Sequence, residues 1–253
     1  LRVRTEATVA HDSQATEYER KQVQVVQLIS AYRQRGHQRA QLDPLGVHLR
    51  DPIPDLELGF RQLSEADFDT VFQVGSLYYG ASDATLRDIV DALERTYCHT
   101  IGAEFMHIVD TEQRHWIMSR MESVRGAPAL DRESRISILR RLIKAEGLEK
   151  SLASKYPGTK RFGLEGGESL IPMMSEAIQR IGGYGAKEVV MGMAHRGRLN
   201  VLANIAGKTY GQIFREFEGT QDTGTVQGSG DVKYHLGTEG TYTAPGGEKI
   251  PVY

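Results

Sequence analysis

The sequence is poor in several features that would each point to a class of protein. A single cysteine, Cys98, excludes a disulfide within the chain and favours a reducing compartment, so we interpret Cys98 as a small apolar residue on a helix. No hydrophobic run approaches the roughly 18 residues that a membrane-spanning helix needs, and we expect a soluble protein. Basic and acidic residues nearly balance, at 31 against 33, so no broad field favours nucleic acid or an anionic membrane. Any anion site must therefore be local.

Metal-binding patterns are also scarce. The histidines do not pair with cysteines or carboxylates at zinc-site spacing, and the chain has no His-Glu-x-x-His string. Gly230 and Asp231 resemble the start of a magnesium motif, but no asparagine follows them in the chain. We therefore assign no metal ligand within this sequence.

Apolar residues are frequent enough to build a core. Of the 253 residues, 40% are hydrophobic and 25% are charged, which is typical of a globular protein with one large domain or two small ones. The chain starts at a leucine and stops in a strand-like segment at 250–253, so we expect both ends to be cut. Residues 1–18 are polar and lack apolar periodicity, and we interpret them as a tail or linker.

Helical periodicity dominates residues 19–150. Apolar residues at three- and four-residue steps predict a helix over 21–35 that ends at Gly36, and proline-containing strings after it predict a loop. Further helices are predicted over residues 64–72, 85–97, 111–124 and 131–144. We predict that 19–150 form a mainly helical region.

Glycine becomes frequent after residue 156, and the pattern changes to that of an α/β domain. A helix predicted over 169–181 precedes a continuous apolar run at 188–193, which predicts a buried strand, and another helix is predicted over 199–206. This order is typical of a parallel sheet, in which ligands bind beyond the carboxyl ends of the strands. We predict that residues 151–253 are the beginning of such an α/β domain.

The carboxyl end of the predicted strand carries the first candidate site, residues 194–200 (AHRGRLN). A helix amino terminus offers N–H groups to an anion, and an arginine offers a planar fork that matches phosphate oxygens. His195 can titrate or donate a hydrogen bond near neutral pH. The same string also fits a structural turn whose arginines pair with surface carboxylates, and its spacing does not decide between the two.

Two further strings are weaker candidates. Residues 228–237 place His235 between glycines, which let a backbone approach a ligand closely, although a lone histidine is commonly structural. This string is not a Walker loop. Residues 160–168 (KRFGLEGGE) carry two cations before a predicted helix, and they also fit a charged connection between a strand and a helix.

The three strings occur in an order that resembles a known family. Together with RQRGH at 33–37, QLDPLG at 41–46 and IGAEFMH at 101–107, they closely resemble the decarboxylating, thiamine-diphosphate-dependent component of 2-oxoglutarate dehydrogenases. The resemblance runs from about residue 20 to about residue 240. It implies an α/β protein in which the helical amino-terminal region is followed by the start of a parallel-sheet, thiamine-diphosphate-binding domain.

The resemblance also implies roles for three residues. Arg196 would contact the diphosphate of the cofactor, His195 would lie in the active site, and His235 would help to bind the substrate. Because the thiazolium supplies the carbanion chemistry, the protein mainly has to position an anionic oxoacid and stabilise developing charge. We therefore predict His195 and His235 as catalytic residues and Arg196 as a cofactor ligand.

The reaction implied by the resemblance is the oxidative decarboxylation of 2-oxoglutarate with thiamine diphosphate and Mg²⁺. The succinyl group would pass to the lipoyl arm of a dihydrolipoyl succinyltransferase, in the citric acid cycle. The family resemblance implies a homodimer, which would be cytoplasmic in a bacterium and in the mitochondrial matrix of a eukaryote. We expect the magnesium ligands and the pyrimidine-binding half beyond Tyr253, and we expect the chain to be inactive alone.

Two other functions fit parts of the sequence. A related 2-oxoadipate dehydrogenase shares the chemistry on a substrate longer by one methylene, a difference worth only about 1 to 3 kcal/mol in a pocket. The helical first half also fits a non-catalytic binding module, whose partner binding would survive the loss of His195 and His235.

Overall fold

The computed structural model describes residues 2–47, 50–220, 237–244 and 247–253, with side chains from residue 16 onward. The chain forms two compact units, Leu1–Ala129 and Leu130–Tyr253. Helices and two small antiparallel sheets make a mixed α/β protein. No helix in these ranges combines the length and the apolar character that a membrane crossing requires.

The first unit contains three α-helices and a two-stranded sheet among its described residues. The helices are α1 (Arg2–Arg39), α2 (Leu86–Tyr97) and α3 (Thr111–Val124), and strand β1 (Val71–Gln73) pairs antiparallel with β2 (Asp83–Thr85). Three single-turn 3₁₀ helices lie between α1 and β1 in the sequence, at Pro54–Leu56, Gly59–Arg61 and Glu65–Asp67.

The amino-terminal ends of α2 and α3 are set by side chains that cap their first turns. The Thr85 hydroxyl accepts a hydrogen bond from the Asp88 N–H at 3.2 Å, and the Asp110 carboxylate accepts one from the Gln113 N–H at 3.0 Å. Each cap satisfies a backbone donor that has no partner within its own helix. The predicted helices over 85–97 and 111–124 are confirmed.

Helix α1 is longer than the sequence pattern predicted. It begins at Arg2, so residues 2–18, which we interpreted as a tail or linker, are helical, and no proline or glycine precedes Gly36 to interrupt them. The predicted helix end at Gly36 is wrong, because α1 continues to Arg39. A Cβ at Gly36 would lie 2.5 Å from the Tyr97 Cβ, so this glycine allows α1 and α2 to approach closely.

The predicted helix over 64–72 is also wrong. Only Glu65–Asp67 forms a helical turn, and the chain then extends into β1. The Asp67 carboxylate accepts a hydrogen bond from the Ser64 N–H at 2.9 Å and pairs with Lys21 at 2.7 Å. These contacts tie the side chain to the turn and to α1, while Phe72 is fully buried in the unit's core.

A buried ion pair joins the three helices of the first unit. Both carboxylate oxygens of Glu122 on α3 accept hydrogen bonds from Arg33 on α1, at 2.7 and 3.0 Å. The Tyr97 hydroxyl on α2 donates to the same carboxylate at 2.6 Å. Burial and the neighbouring Glu122 charge raise the pKa of Tyr97 above its ordinary value, so the phenol stays a donor. The Tyr78 N–H adds a fourth bond at 2.9 Å.

The first testable prediction concerns the charge of Glu122. Glu122→Gln keeps the shape of the side chain but leaves the buried Arg33 guanidinium without its counter-charge, so the unfolding free energy should fall by about 3 to 5 kcal/mol. Urea unfolding of this variant should be compared with Glu19→Gln, which changes an exposed carboxylate on α1 and should stay within about 0.5 kcal/mol of the parent. Equal stability of the two variants would contradict the prediction.

The second unit contains four helices and a hairpin among its described residues. Its helices are α4 (Arg132–Lys155), α5 (Leu170–Gly183), α6 (Arg198–Asn204) and α7 (Tyr210–Glu218), and strand β3 (Gly240–Thr243) pairs antiparallel with β4 (Lys249–Val252). The helices predicted over 169–181 and 199–206 are confirmed as α5 and α6, with small differences at their ends. Helix α7 and the pairing of the hairpin were not predicted, although the strand-like segment at 250–253 is observed in β4.

Helix α4 is longer than predicted and lies entirely in the second unit. The predicted end at 144 is wrong, because Ala145, Leu148 and Leu152 continue a buried apolar face as far as Lys155. Residue 130 opens the second unit, earlier than the change of pattern near residue 150. The whole of α4 therefore belongs with α5 and α6 rather than with the first three helices.

The predicted buried strand at 188–193 is reduced to a single bridge. Val189 pairs with Val252 in the parallel direction, through hydrogen bonds from Val189 N–H to Pro251 O and from Tyr253 N–H to Val189 O, both 3.0 Å long. Val190 is 77% exposed, so continuous apolar character did not mean burial on both faces. Within the described ranges the only sheets are antiparallel, although the predicted direction of this pairing is observed.

Candidate active site

The predicted AHRGRLN string forms a tight turn into α6. Gly197 adopts a positive φ of 73°, and its N–H donates to the Phe162 carbonyl at 2.7 Å. A Cβ at this position would lie 2.5 Å from Leu164 Cδ1. Gly197 is therefore required by the backbone conformation and by the packing of the turn against the 160–168 loop.

This turn brings two of the three candidate strings together. The ring of His195 lies against the ring of Phe162, with 4.1 Å between their centroids and 44° between their planes. His195 remains exposed to solvent on its other side. The third string cannot be compared, because His235 lies outside the described residues.

The two arginines of the turn have different surroundings. Arg198 donates to the Met193 carbonyl at 2.8 Å and so braces the turn. Arg196 is exposed, and neither arginine forms an ion pair with a carboxylate in the part of the chain that the structure describes. The pKa of Glu165 is held below its usual value mainly by a hydrogen bond from Arg161, with a weaker contribution from the Arg196 charge. The alternative of arginines paired with surface carboxylates is therefore not observed among these residues.

The backbone contributes less to a possible anion site than the sequence suggested. The N–H of Gly197 binds the Phe162 carbonyl, and the N–H of Arg198 binds the His195 carbonyl at 3.2 Å. Two donors at the start of α6 are thus already used. An anion at this turn would depend on the Arg196 guanidinium, whose fork can bind two phosphate oxygens at once.

A buried carboxylate that the sequence analysis missed holds this arrangement. Glu149 on α4 is 4% exposed, and its Oε1 accepts hydrogen bonds from the Leu164 N–H and the Asn200 Nδ2, both 3.0 Å long. Its Oε2 lies 3.5 Å from the Arg161 guanidinium. One carboxylate therefore connects α4, the 160–168 loop and α6.

Asn200, which belongs to the candidate string at 194–200 but was assigned no role, extends this network. Asn200 is fully buried, and its Nδ2 also donates to the Ala145 carbonyl on α4 at 2.8 Å, while its Oδ1 accepts from Asn204 Nδ2 at 2.7 Å. The buried positions 145, 148, 149 and 152 recur at helical spacing. Extending that periodicity beyond residue 144 would have placed Glu149 on a buried face and identified it as a polar residue in need of partners.

Across the described ranges, no three or more His, Cys, Asp or Glu side chains cluster in a way that could hold a metal ion. The expected magnesium ligands were predicted beyond Tyr253, so that expectation stays a prediction.

The second testable prediction concerns Gly197. Gly197→Ala forces a Cβ against Leu164 and strains a backbone with positive φ, so we expect a loss of more than about 1 kcal/mol of stability in the second unit. Gly192→Ala is the matched control, since nothing lies within 4 Å of its added Cβ and its φ is not in the left-handed region. Thermal unfolding of both variants provides the measurement, and a lower midpoint for Gly192→Ala than for Gly197→Ala would refute the packing argument.

Comparison with known proteins supports the resemblance over nearly the whole chain. The 2-oxoglutarate dehydrogenase E1 component of Azotobacter vinelandii is 58% identical over 95% of this chain, and that of Cupriavidus necator is 48% identical over 90%. The multifunctional 2-oxoglutarate metabolism enzyme of Mycolicibacterium vanbaalenii is 46% identical over 88%. No family model matches the chain.

The matches cover only a part of each relative. The chain spans 25%, 24% and 18% of the lengths of these three proteins, in the same order. Identity this high over at least 88% of the chain nevertheless leaves no doubt about its ancestry. The chain belongs to the 2-oxoglutarate dehydrogenase E1 family, of whose members it spans about a quarter.

Proposed function

We propose that the protein containing this chain carries out the thiamine-diphosphate-dependent oxidative decarboxylation of 2-oxoglutarate. The succinyl group would pass to the lipoyl group of a dihydrolipoyl succinyltransferase, in a magnesium-dependent homodimeric component of the citric acid cycle. Residues 151–253 would begin its parallel-sheet cofactor domain. The observation that carries the proposal is the turn at 194–198, where Arg196 and His195 are both exposed and His195 packs against Phe162, in a chain 58% identical to a 2-oxoglutarate dehydrogenase E1 component.

The residues of the turn fit the diphosphate of the cofactor. Arg196 is exposed and has no carboxylate partner within the described residues, so binding a phosphate would not require an existing ion pair to break. Arg198 is occupied with the Met193 carbonyl, so we assign the phosphate contact to Arg196. When bound, thiamine diphosphate supplies the carbanion chemistry that amino acid side chains lack.

His195 is suited to act on the oxoacid rather than on the fold. Its ring packs against the ring of Phe162, and the residue is exposed to solvent. An imidazole at this position can donate a hydrogen bond to a carboxylate of the oxoacid. We propose the same class of role for His235, on the family resemblance alone.

The proposed preference for 2-oxoglutarate over 2-oxoadipate rests on the chain's similarity to 2-oxoglutarate dehydrogenase E1 components. We further propose that the 253-residue chain has no turnover by itself, because it spans only about a quarter of the E1 components that it matches.

The third testable prediction concerns the cofactor contact of Arg196 in the full-length protein. Arg196→Lys keeps the positive charge but loses the two-pronged geometry, so thiamine diphosphate should bind about tenfold more weakly. Arg180→Lys is the matched control, since Arg180 pairs on the surface of α5 with Glu176, and its cofactor affinity should be that of the parent. Titration calorimetry measures both, and an unchanged dissociation constant for Arg196→Lys would remove this residue from the site.

The fourth testable prediction separates catalytic from structural histidines. In the full-length protein, His195→Ala and His235→Ala should each lower 2-oxoglutarate turnover by roughly ten- to a thousandfold, the scale of losing one polar contact at a reacting centre. Thermal unfolding midpoints should barely move. His115→Ala, an exposed change on α3, should leave both properties unchanged.

The same variants decide between the competing functions. Parallel rate measurements on 2-oxoglutarate and 2-oxoadipate assign the substrate, and faster turnover of the longer acid would favour the related dehydrogenase. A non-catalytic binding module predicts that partner binding is retained and that no oxoacid is turned over by the parent protein. Near-normal turnover in a well-folded His195→Ala protein would refute the assignment of that residue.

A further inference from the structure

A cavity of about 370 Å³ in the second unit lies among α4, α5 and α6. Its polar lining includes Arg141 and Lys144 from α4, Asn204 from α6, and Lys208 and Thr209 from the connection to α7, with Ile171 of α5 as an apolar contact. The volume falls in the lower part of the range of small-molecule sites, about 300 to 1,000 Å³.

The lining carries charge of one sign. Three of the lining residues are basic and none is acidic, although the chain as a whole has a net charge of −2. Within the described residues, neither Arg141 nor Lys144 forms an ion pair, whereas Lys150 on the same helix pairs with Glu146 at 2.7 Å. A concave surface with charge of one sign concentrates counter-ions.

The third cation is fixed in place. Lys208 is 7% exposed and is ion-paired with Glu216 of α7, and its backbone N–H donates to the Leu202 carbonyl at 2.8 Å. Because Glu216 balances the Lys208 charge, the excess positive charge comes from Arg141 and Lys144. These two residues are three apart on α4, on one face of the helix, where their repulsion favours a bound anion between them.

The cavity is separate from the turn that carries His195. Helix α6 has seven residues, Arg198–Asn204, and is about 10 Å long at roughly 1.5 Å per residue. The His195 turn precedes its first residue, and the cavity is lined by Ala203 and Asn204 at its other end. A ligand in the cavity would therefore not occupy the proposed diphosphate position.

We propose that this cavity binds a small phosphate monoester. The two unbalanced cations match the charge of a phosphate dianion. One nitrogen of the Arg141 guanidinium donates to the Tyr242 hydroxyl at 3.4 Å, and its other N–H groups remain as donors for phosphate oxygens. The Thr209 hydroxyl and the Asn204 amide provide further polar contacts, while Ile171 offers apolar surface to the organic part of the ester.

The test uses glycerol 3-phosphate and inorganic phosphate as probes and titration calorimetry on the full-length protein. Arg141→Ala and Lys144→Ala should each weaken glycerol 3-phosphate binding by about tenfold or more, the effect of losing a charge-assisted hydrogen bond. Lys144 is exposed, so its variant should fold even if the partly buried Arg141→Ala does not. Arg140→Ala is the matched control: it removes the same charge from an exposed neighbour on α4 that does not line the cavity, and it should bind like the parent.

Each possible result of this binding experiment either supports or overturns the proposal. Binding of glycerol 3-phosphate that is tighter than that of inorganic phosphate and is lost in Lys144→Ala supports a monoester site. Equal weakening in Arg140→Ala and Lys144→Ala would show a general charge effect and overturn the proposal. Equally tight binding of succinate, a dicarboxylate of the same charge, would overturn the assignment to phosphates. The absence of any Lys144-dependent binding at millimolar probe would overturn the site itself.

Discussion

The buried carboxylate of Glu149 is the contact on which the candidate site depends. A charge at 4% exposure is costly to bury unless it is paired and hydrogen-bonded, and Glu149 meets this requirement only if three parts of the chain come together. Its donors are the Leu164 N–H of the loop, the Asn200 amide of α6 and the Arg161 guanidinium. The loop and the start of α6 are therefore fixed relative to α4, and Phe162 meets His195 as a consequence.

The first unit also contains a buried carboxylate that connects several parts of the chain. Glu122 accepts hydrogen bonds from Arg33 and Tyr97, so here one carboxylate joins three helices. Each unit has its own apolar core as well as its own buried acid. Such contacts are weak evidence for net stability, because an apolar replacement can be as stable. They are strongly directional, however, and in the second unit the bonds of Glu149 fix the backbone of the loop and of the start of α6, which carry Phe162 and follow His195.

Sequence patterns correctly predicted helix limits that depend on contacts between residues close in sequence. The apolar spacing over 85–97 and 111–124 predicted the limits of α2 and α3, and the structure adds the caps at Thr85 and Asp110. Elsewhere, contacts between residues distant in sequence made the predictions from local patterns wrong. Gly36 looked like a helix end but serves the close packing of α1 on Tyr97, and the apolar run around Val190 looked buried but is exposed on one side. At the site, the sequence indicated His195 and Arg196 but not Glu149, whose partners are distant in sequence.

Arg196 and His195 are both exposed, which limits how strongly the turn can bind an anion by itself. An ion contact in water is screened, and it strengthens when surrounding protein excludes solvent. Gly197 sets the backbone of the turn and Phe162 packs against the His195 ring, which lowers the cost of orienting that ring, yet His195 and Arg196 both face solvent in the second unit. For the proposed reaction, the developing charge must be met in a site closed to water. We therefore expect full cofactor affinity and turnover only where further protein covers this turn, which is the physical reason to measure both in the full-length enzyme.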